Sequence, residues 1–331
     1  MIISKTPIRI AWFGGGSDLP AFYKQDFGAS LSVTIDKFIY LMLHYTTNGG
    51  LKAKFDTIEN VFDITNMKHI LTKEILSYYN IETQGLEISS IADVTYNGCG
   101  LGTSSAFTVG LINTIMAYLV DDKTFVPASE FLAKKACDIE INQCKFPMGK
   151  QDQYAAAYGG FNEFIFYKNE KVEQIPIEMP KRLEEKILLV FSGKSRNANE
   201  ILKKQAQNML DYEKYKLVCR NRDRVFTAVN FLRQENYDDF GELLGEAWVD
   251  KKQTAQGISD PYFDDLYTTA INNGSLGGKI LGAGGGGYMV FYCPTLDVKN
   301  NVIYALKKFD KVKPLEYSFT NEGSKIVYRD Y

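Results

Sequence analysis

The sequence predicts an α+β protein of two domains, and three observations carry that prediction. The chain has 331 residues, 45% of them hydrophobic, enough to bury a large core spread over two domains. Runs rich in β-branched and aromatic residues mix with helix-like segments in both halves. Between the halves, Met179–Glu185 brings a proline and several charges just ahead of an apolar strand-like run. That stretch sets the expected boundary, with an N-terminal domain over 1–182 and a C-terminal domain over 183–331.

The elements follow in order. Strands are expected at Ile2–Phe13, Ala29–Ile35, Phe38–Tyr45 and Leu86–Ala92, all rich in residues that suit a pleated surface. Helices are expected at Ser104–Leu119, Ala128–Gln143 and Lys150–Tyr158. In the first of these, Leu111, Ile115 and Tyr118 recur at the spacing of one buried face. Gly159-Gly160 stops the third. Phe161–Tyr167 and Val172–Ile177 read as a hairpin, and Ile187–Phe191 as the next strand. Long helical segments run from Asn197 to about Asn236 and from Asp239 to Gln253, with a shorter one over Pro261–Asn272. The chain closes with strands at Gly278–Leu281 and Tyr288–Tyr292, a helix at Lys299–Phe309, and strands at Val312–Tyr317 and Lys325–Tyr328.

Composition excludes several function classes. The formal net charge is −2 with acids and bases interspersed, so neither nucleic acid nor an acidic membrane surface is an expected partner. Five cysteines form no CxxC pair, which argues against a zinc site or a disulfide framework and for a reduced, cytoplasmic setting. The N-terminal MIISKTPIRIAWF alternates like a strand and lacks a signal-peptide layout. No apolar run reaches the ~20 residues of a membrane helix. His44 and His69 are the only histidines, which leaves little material for a Ser-His-Asp triad.

Glycine clusters carry the functional signal. Gly98-Cys99-Gly100-Leu101-Gly102-Thr103-Ser104-Ser105 stands directly before the first long helix. Alternating glycines remove side chains where a backbone must come close to something. The hydroxyl residues fall at a helix start, whose unpaired N–H groups and positive dipole end suit a phosphate. The reading is a nucleotide phosphate cradle and points to a kinase; a plain helix N-cap is the structural alternative. No Lys follows the last Gly, so the loop is not a Walker A pattern. A second cluster, Gly14-Gly15-Gly16-Ser17-Asp18, follows a strand. Its glycines allow close approach and Asp18 can accept from two hydroxyls, which suits a sugar; an ordinary turn is the alternative.

Two further glycine runs imitate nucleotide motifs. Ser192-Gly193-Lys194-Ser195 ends like a P-loop, but Leu188 occupies the position of the first glycine. Gly282-Ala283-Gly284-Gly285-Gly286-Gly287 matches G-x-G-x-x-G, yet a strand rather than a helix follows it. It reads as a side-chain-free turn between strands, either a flexible hairpin or a backbone passing close to a ligand, with the entropy of ordering favouring the second.

Pro7-x-Arg9 through Asp18, Gly98–Ala106 and Lys279–Gly287 together resemble the three motifs of the GHMP kinases in order and spacing over nearly the whole chain. The resemblance implies an N-terminal domain like ribosomal protein S5 domain 2 and a ferredoxin-like C-terminal domain. It implies ATP held on the Gly98–Ser105 loop in a cleft between them. Where galactokinases carry Gly-Glu-His-Thr-Asp, this chain has Gly-Gly-Gly-Ser-Asp. GGGSDLP, GLGTSSA and GKQDQYAAAYGG are together most similar to the D-glycero-D-manno-heptose 7-phosphate kinases of the family. That implies phosphorylation of the anomeric hydroxyl of a heptose 7-phosphate to the 1,7-bisphosphate, on the way to a nucleotide-activated heptose.

Individual roles follow from the resemblance. Asp152 matches the acid beside the acceptor hydroxyl, where it can orient the hydroxyl and take its proton late; a helix-start Asp is the alternative. Arg9 matches the motif-one base that keeps this acid ionised and offsets phosphoryl charge, with Lys5 as a rival. Ser104 and Glu140 are the candidate Mg2+ ligands; Asp138 is the rival to Glu140 and points to a different face. Gly15, Gly16, Ser17 and Asp18, with Gly284 and Gly285, are the candidate substrate-binding residues. Lys194-Ser195-Arg196, at a strand end and helix start, offers a site for the sugar's own phosphate, with Arg196 as its expected ligand and a solvated loop as the rival reading. A sugar phosphate is thus the expected partner, and a homodimer is left open. A kinase for a neutral sugar such as fucose or galactose, and a non-catalytic sensor on the same fold, are the alternatives.

Overall fold

The structure is a computed structural model that describes residues 1–47, 49–94, 98–195 and 198–330. In chain order its strands are β1 (Ile2–Phe13), β2 (Gly28–Tyr45), β3 (Leu51–Lys54), β4 (Ile58–Val61), β5 (Leu86–Ala92), β6 (Phe161–Phe166), β7 (Val172–Ile177), β8 (Ile187–Phe191), β9 (Gly277–Ile280), β10 (Tyr288–Tyr292), β11 (Lys313–Leu315) and β12 (Lys325–Arg329). The first sheet runs β12-β1-β2-β5-β3-β4, and β2 also pairs with β6, which pairs with β7. All of its pairings are antiparallel except β3 with β5. The second sheet runs β11-β8-β10-β9 and is antiparallel throughout.

β2 is one strand where two are expected from the sequence. Pro7 lies opposite Phe38 and Ile8 opposite Ile35, so Asp36 and Lys37 bulge out of the pairing without ending it. Pro7 lacks an N–H and sits at this irregularity, a place where a sheet tolerates proline. Beyond the bulge β2 changes partner, from β6 over its first third to β5 over its last. The β3–β4 hairpin and the short Pro20–Tyr23 helix carry too little apolar pattern to be read in advance.

Helix boundaries shift for local reasons. The expected Ala128–Gln143 helix is α-helical over Ser129–Cys137 and then widens to a π-helical turn over Asp138–Gln143. The Asn197–Asn236 segment divides into helices Asn199–Asn208 and Tyr212–Arg233, because the Asp211 side chain caps the second by accepting from the N–H groups of Glu213 and Lys214. Met179–Glu185 contributes to a helix, Lys181–Lys186. The last strand, β12, returns to the first sheet, with Ile2 opposite Arg329 and Lys5 opposite Lys325. It thus crosses the 182/183 boundary drawn from the sequence.

The two sheets share packing beneath the cleft. Helix Tyr237–Thr254 approaches β9 so closely that a Cβ on Gly277 would lie 2.0 Å from the Gly241 carbonyl oxygen. The same helix sends Phe240 edge-on against Trp12 and Phe13 of β1, with ring centroids 5.5 and 5.3 Å apart. Trp12 stacks in turn on Phe161 of β6. All four rings are buried. Burial stabilises by about 1.5–3 kcal/mol per such side chain, and each aromatic pair adds ~0.5–1.5 kcal/mol. These contacts fix the C-terminal half against the end of β1, where the first glycine turn begins. Among the described residues no helix is long and apolar enough to cross a membrane, and all five cysteines are free thiols.

Candidate active site

A cavity of about 600 Å³ opens where these elements meet. Its walls come from β1, the Gly14–Asp18 turn, the Gly98–Ser105 loop, the start of helix Gln151–Tyr158, and helices Asn199–Asn208 and Tyr237–Thr254.

The Gly98–Ser105 loop is built as its glycines require. Gly98, Gly100 and Gly102 have φ of 65°, 80° and 76°, a left-handed conformation that glycine adopts without strain. Gly102 caps helix Thr103–Leu119 without a side chain, so the simple side-chain N-cap does not apply. The loop rests on the second glycine turn, backbone against backbone. A Cβ on Gly100 would meet the Leu281 carbonyl oxygen at 2.7 Å, and Tyr288 N–H donates to Cys99 O at 2.8 Å. Cys99, Ser104 and Ser105 line the cavity, and Leu101 is buried in the core with its carbonyl accepting from Arg9 N–H.

Arg9 and Asp152 meet across the cavity floor. Arg9 Nε and Nη2 donate to the same oxygen, Asp152 Oδ1, at 2.9 and 2.7 Å. Arg9 Nη1 donates to Gly100 O at 2.7 Å, which ties the pair to the loop. Arg9 is 3% exposed and Asp152 20%. Among the described residues Asp152 Oδ2 has no protein partner, so it can accept from a hydroxyl. Lys5 takes no part; it pairs with Glu322 at 2.9 Å.

Asp18 is buried on the cavity wall and grips two turns. Its Oδ1 accepts from Gly16 N–H at 3.0 Å and its Oδ2 from Gln151 N–H at 3.2 Å, at the head of the helix that carries Asp152. Burial, then repulsion from Asp152, pushes its carboxyl up to about 6, although those N–H groups act the other way. Gly15 and Gly16 line the cavity beside it. Ser17 does not. It is fully buried, and its hydroxyl lies 2.8 Å from both Gly14 O and Ala29 O, donating to one of them and accepting from Ala29 N–H, which holds the turn shut.

Glu140 lies behind the loop rather than on the cavity surface. It is fully buried and accepts from Ser105 Oγ at 2.9 Å, Thr108 Oγ1 at 3.0 Å and Gln153 Nε2, with Ser104 Oγ at 3.4 Å. Burial pushes its carboxyl up to about 7 against the effect of those bonds. Asp138 instead accepts from Asn142 on the outer side of the same turn. Of the candidate Mg2+ pair only Ser104 is presented on the cavity surface; the oxygens of Glu140 are already held by Ser105, Thr108 and Gln153 behind it.

Several expected placements change. Gly284 and Gly285 pack against Ile258, the second through its N–H to Ile258 O at 2.8 Å; Gly282 and Ala283 take the place on the cavity wall. The glycines are needed for that close packing. Lys194 pairs with Asp260 at 3.2 Å and lies over the Tyr262 ring. Ser195 lines the cavity, while Arg196 lies outside the described residues. Sequence reasoning missed Lys251 and Lys279, which both line the cavity. Lys279 opens the third glycine motif, which was a signal for it; Lys251, beside Asp250 and Lys252 near a helix end, offered none.

Residues 66–160 match the GHMP kinases N terminal domain and residues 228–312 match GHMP kinases C terminal. The chain belongs to the GHMP kinase family. It is therefore a phosphotransferase acting on a hydroxyl acceptor, and GHMP kinases take the phosphoryl group from ATP. The chain is similar to the D-glycero-alpha-D-manno-heptose 7-phosphate kinase of Campylobacter jejuni, at 29% identity over 98% of both chains. It is similar to the mevalonate kinase of Pyrococcus furiosus at 24% identity, again over 98% of both. Among solved structures, a D-glycero-D-manno-heptose 1-phosphate kinase from Bacteriodes thetaiotaomicron superposes with a TM-score of 0.75 over 100% of each chain at 24% identity. Streptococcus pneumoniae phosphomevalonate kinase, in complex with phosphomevalonate and AMPPNP, gives 0.75 over 97% of this chain and 100% of that one at 13% identity. These two likenesses establish the GHMP kinase fold.

Proposed function

We propose that this kinase transfers the γ-phosphoryl group of ATP to the anomeric hydroxyl of D-glycero-D-manno-heptose 7-phosphate, giving the 1,7-bisphosphate. The observation that carries the catalytic assignment is the one-sided clamp on Asp152. Arg9 occupies one carboxylate oxygen, and the other is left for the acceptor hydroxyl. Asp152 orients that hydroxyl and takes its proton as the bond to phosphorus forms. Arg9 fixes the orientation of Asp152 and offsets charge on the transferred group. The Gly98–Ser105 loop, with the helix start behind it, cradles the phosphates of ATP. Gly15, Gly16 and Asp18 hold the sugar, Asp18 through the acceptor capacity left by Gly16 and Gln151.

Ser104, on the cavity surface, would reach Mg2+, which neutralises phosphate charge when bound, and Glu140 supports that hydroxyl from behind. The substrate reading rests on the likeness to the Campylobacter jejuni enzyme and on the motif sequences. The use of ATP and a sugar phosphate fits the cytoplasm.

The test is ADP release with Mg-ATP across heptose 7-phosphate, mannose 6-phosphate, galactose, fucose and mevalonate. Turnover confined to the heptose phosphate is the expected result. Turnover with a neutral sugar removes the phosphosugar assignment, and ATP binding without turnover on any acceptor removes the catalytic one.

A further inference from the structure

We propose that Lys251 and Lys279 together form a seat for the phosphoryl oxygens of a reactant. The two come from different elements, helix Tyr237–Thr254 and β9, and line the same cavity as Arg9. Their hydrogen bonds go to backbone alone. Lys251 Nζ donates to Ile280 O at 2.9 Å and Gly282 O at 2.6 Å, and Lys279 Nζ donates to Trp12 O. Among the described residues neither forms an ion pair, whereas Lys5, Lys150 and Lys194 each have a carboxylate. An ammonium has three N–H donors, so each lysine keeps at least one for a ligand.

The location narrows the ligand. Gly282, held by Lys251, packs against Gly100 of the phosphate loop. Trp12, held by Lys279, lies at the end of β1 just before the Gly14–Asp18 turn. The two ammonium groups thus stand between the ATP loop and the turn assigned to the acceptor. Cations gathered here without a counter-charge repel one another and are costly to bury. Burial, then Lys251 and Arg9, hold Lys279 well below its ordinary value, and burial, then Arg9, brings Lys251 down to about 7. An arriving dianion relieves both strains, and its oxygens can accept from both ammonium groups.

Two groups carry this chemistry, the terminal phosphate of ATP and the ester phosphate of a phosphorylated acceptor. The identity of these ligands rests on the kinase reading; the seat itself does not. The experiment is calorimetric titration of the full chain, without turnover, with ATP and with heptose 7-phosphate. It compares wild type with Lys251→Gln and Lys279→Gln, whose amides can still donate to the backbone carbonyls. An affinity loss of about tenfold or more, the scale of a charged hydrogen bond, is expected for one ligand, with Lys251→Arg recovering most of it. Loss confined to heptose 7-phosphate assigns the seat to the acceptor, and loss confined to ATP assigns it to the nucleotide. Unchanged affinities for both ligands in folded variants overturn the proposal.

Should the variants fail to fold, acetylation of Lys251 in wild type is followed by mass spectrometry with and without inorganic pyrophosphate. Protection supports the seat and its absence overturns it. A protein that shows protection yet phosphorylates no sugar phosphate would lose the substrate reading and keep the seat.

Discussion

Gly100 and Leu281 touch backbone to backbone: a Cβ on Gly100 would sit 2.7 Å from the Leu281 carbonyl oxygen. The Gly98–Ser105 loop of the N-terminal half is therefore shaped by a turn of the C-terminal half, nearly two hundred residues later in the chain. The Gly100→Ala variant adds a methyl group at a residue with φ of 80°. The backbone conformation alone costs ~1–2 kcal/mol for an L-residue, before the overlap is counted. The expected outcome is a lower melting temperature together with weaker ATP binding. A variant that binds ATP as well as wild type would mean the contact does not shape the loop.

Asp152 has one oxygen held by Arg9 and one open. Asp152→Asn keeps the shape, removes the proton acceptor and disturbs the Arg9 pair. Turnover is expected to fall by ~10²-fold or more, the usual scale for a positioned base, while ATP affinity measured calorimetrically stays as it was. Near-normal kcat would remove Asp152 from the proton transfer.

Ser104 is the exposed member of the hydroxyl group around Glu140. Ser104→Ala should shift the Mg2+ concentration needed for half-maximal turnover upward and leave the KM for sugar largely unaltered. An identical Mg2+ response in the two proteins would argue against a place in the metal shell.

Glu140 makes stability depend on pH in a definite direction. Its folded value of about 7 lies above the ordinary 4.5. The folded state thus binds this proton more tightly than the unfolded chain does. The stabilising contribution is complete below about 4.5 and disappears as pH rises through about 7. The shift corresponds to roughly 3 kcal/mol as an order of magnitude. Glu140→Gln lacks the titration, so its melting temperature should gain on that of wild type as pH is raised across this window. A constant difference between the two proteins would show that Glu140 is not buried as described.

The local information in this chain was legible because it is encoded locally. β1, β5, β7, β10 and the Pro261–Asn272 helix have the ends that apolar pattern and turn residues indicate. The alternating glycines of the Gly98–Ser105 loop announced a close backbone approach before any fold was known, and Gly100 makes one against Leu281. Family motifs supplied Arg9, Asp152 and Asp18, and the structure brings all three to one cavity.

What tertiary structure alone decided depends on approach between distant segments. The choice of Arg9 over Lys5 was settled when Lys5 met Glu322, a residue from the far end of the chain. Glu140 and Asp138 take opposite sides because the π-helical turn carries Glu140 inward to Ser105 and Thr108 and leaves Asp138 on Asn142 outside. Gly284 and Gly285 are explained by Ile258, and Ser17 by Ala29, partners no periodicity indicates. Lys251 and Lys279 became neighbours only once a helix and a strand had closed over β1. A sequence states which conformations and burial patterns each segment favours; which side chains then share a cavity is set by packing among segments far apart along the chain.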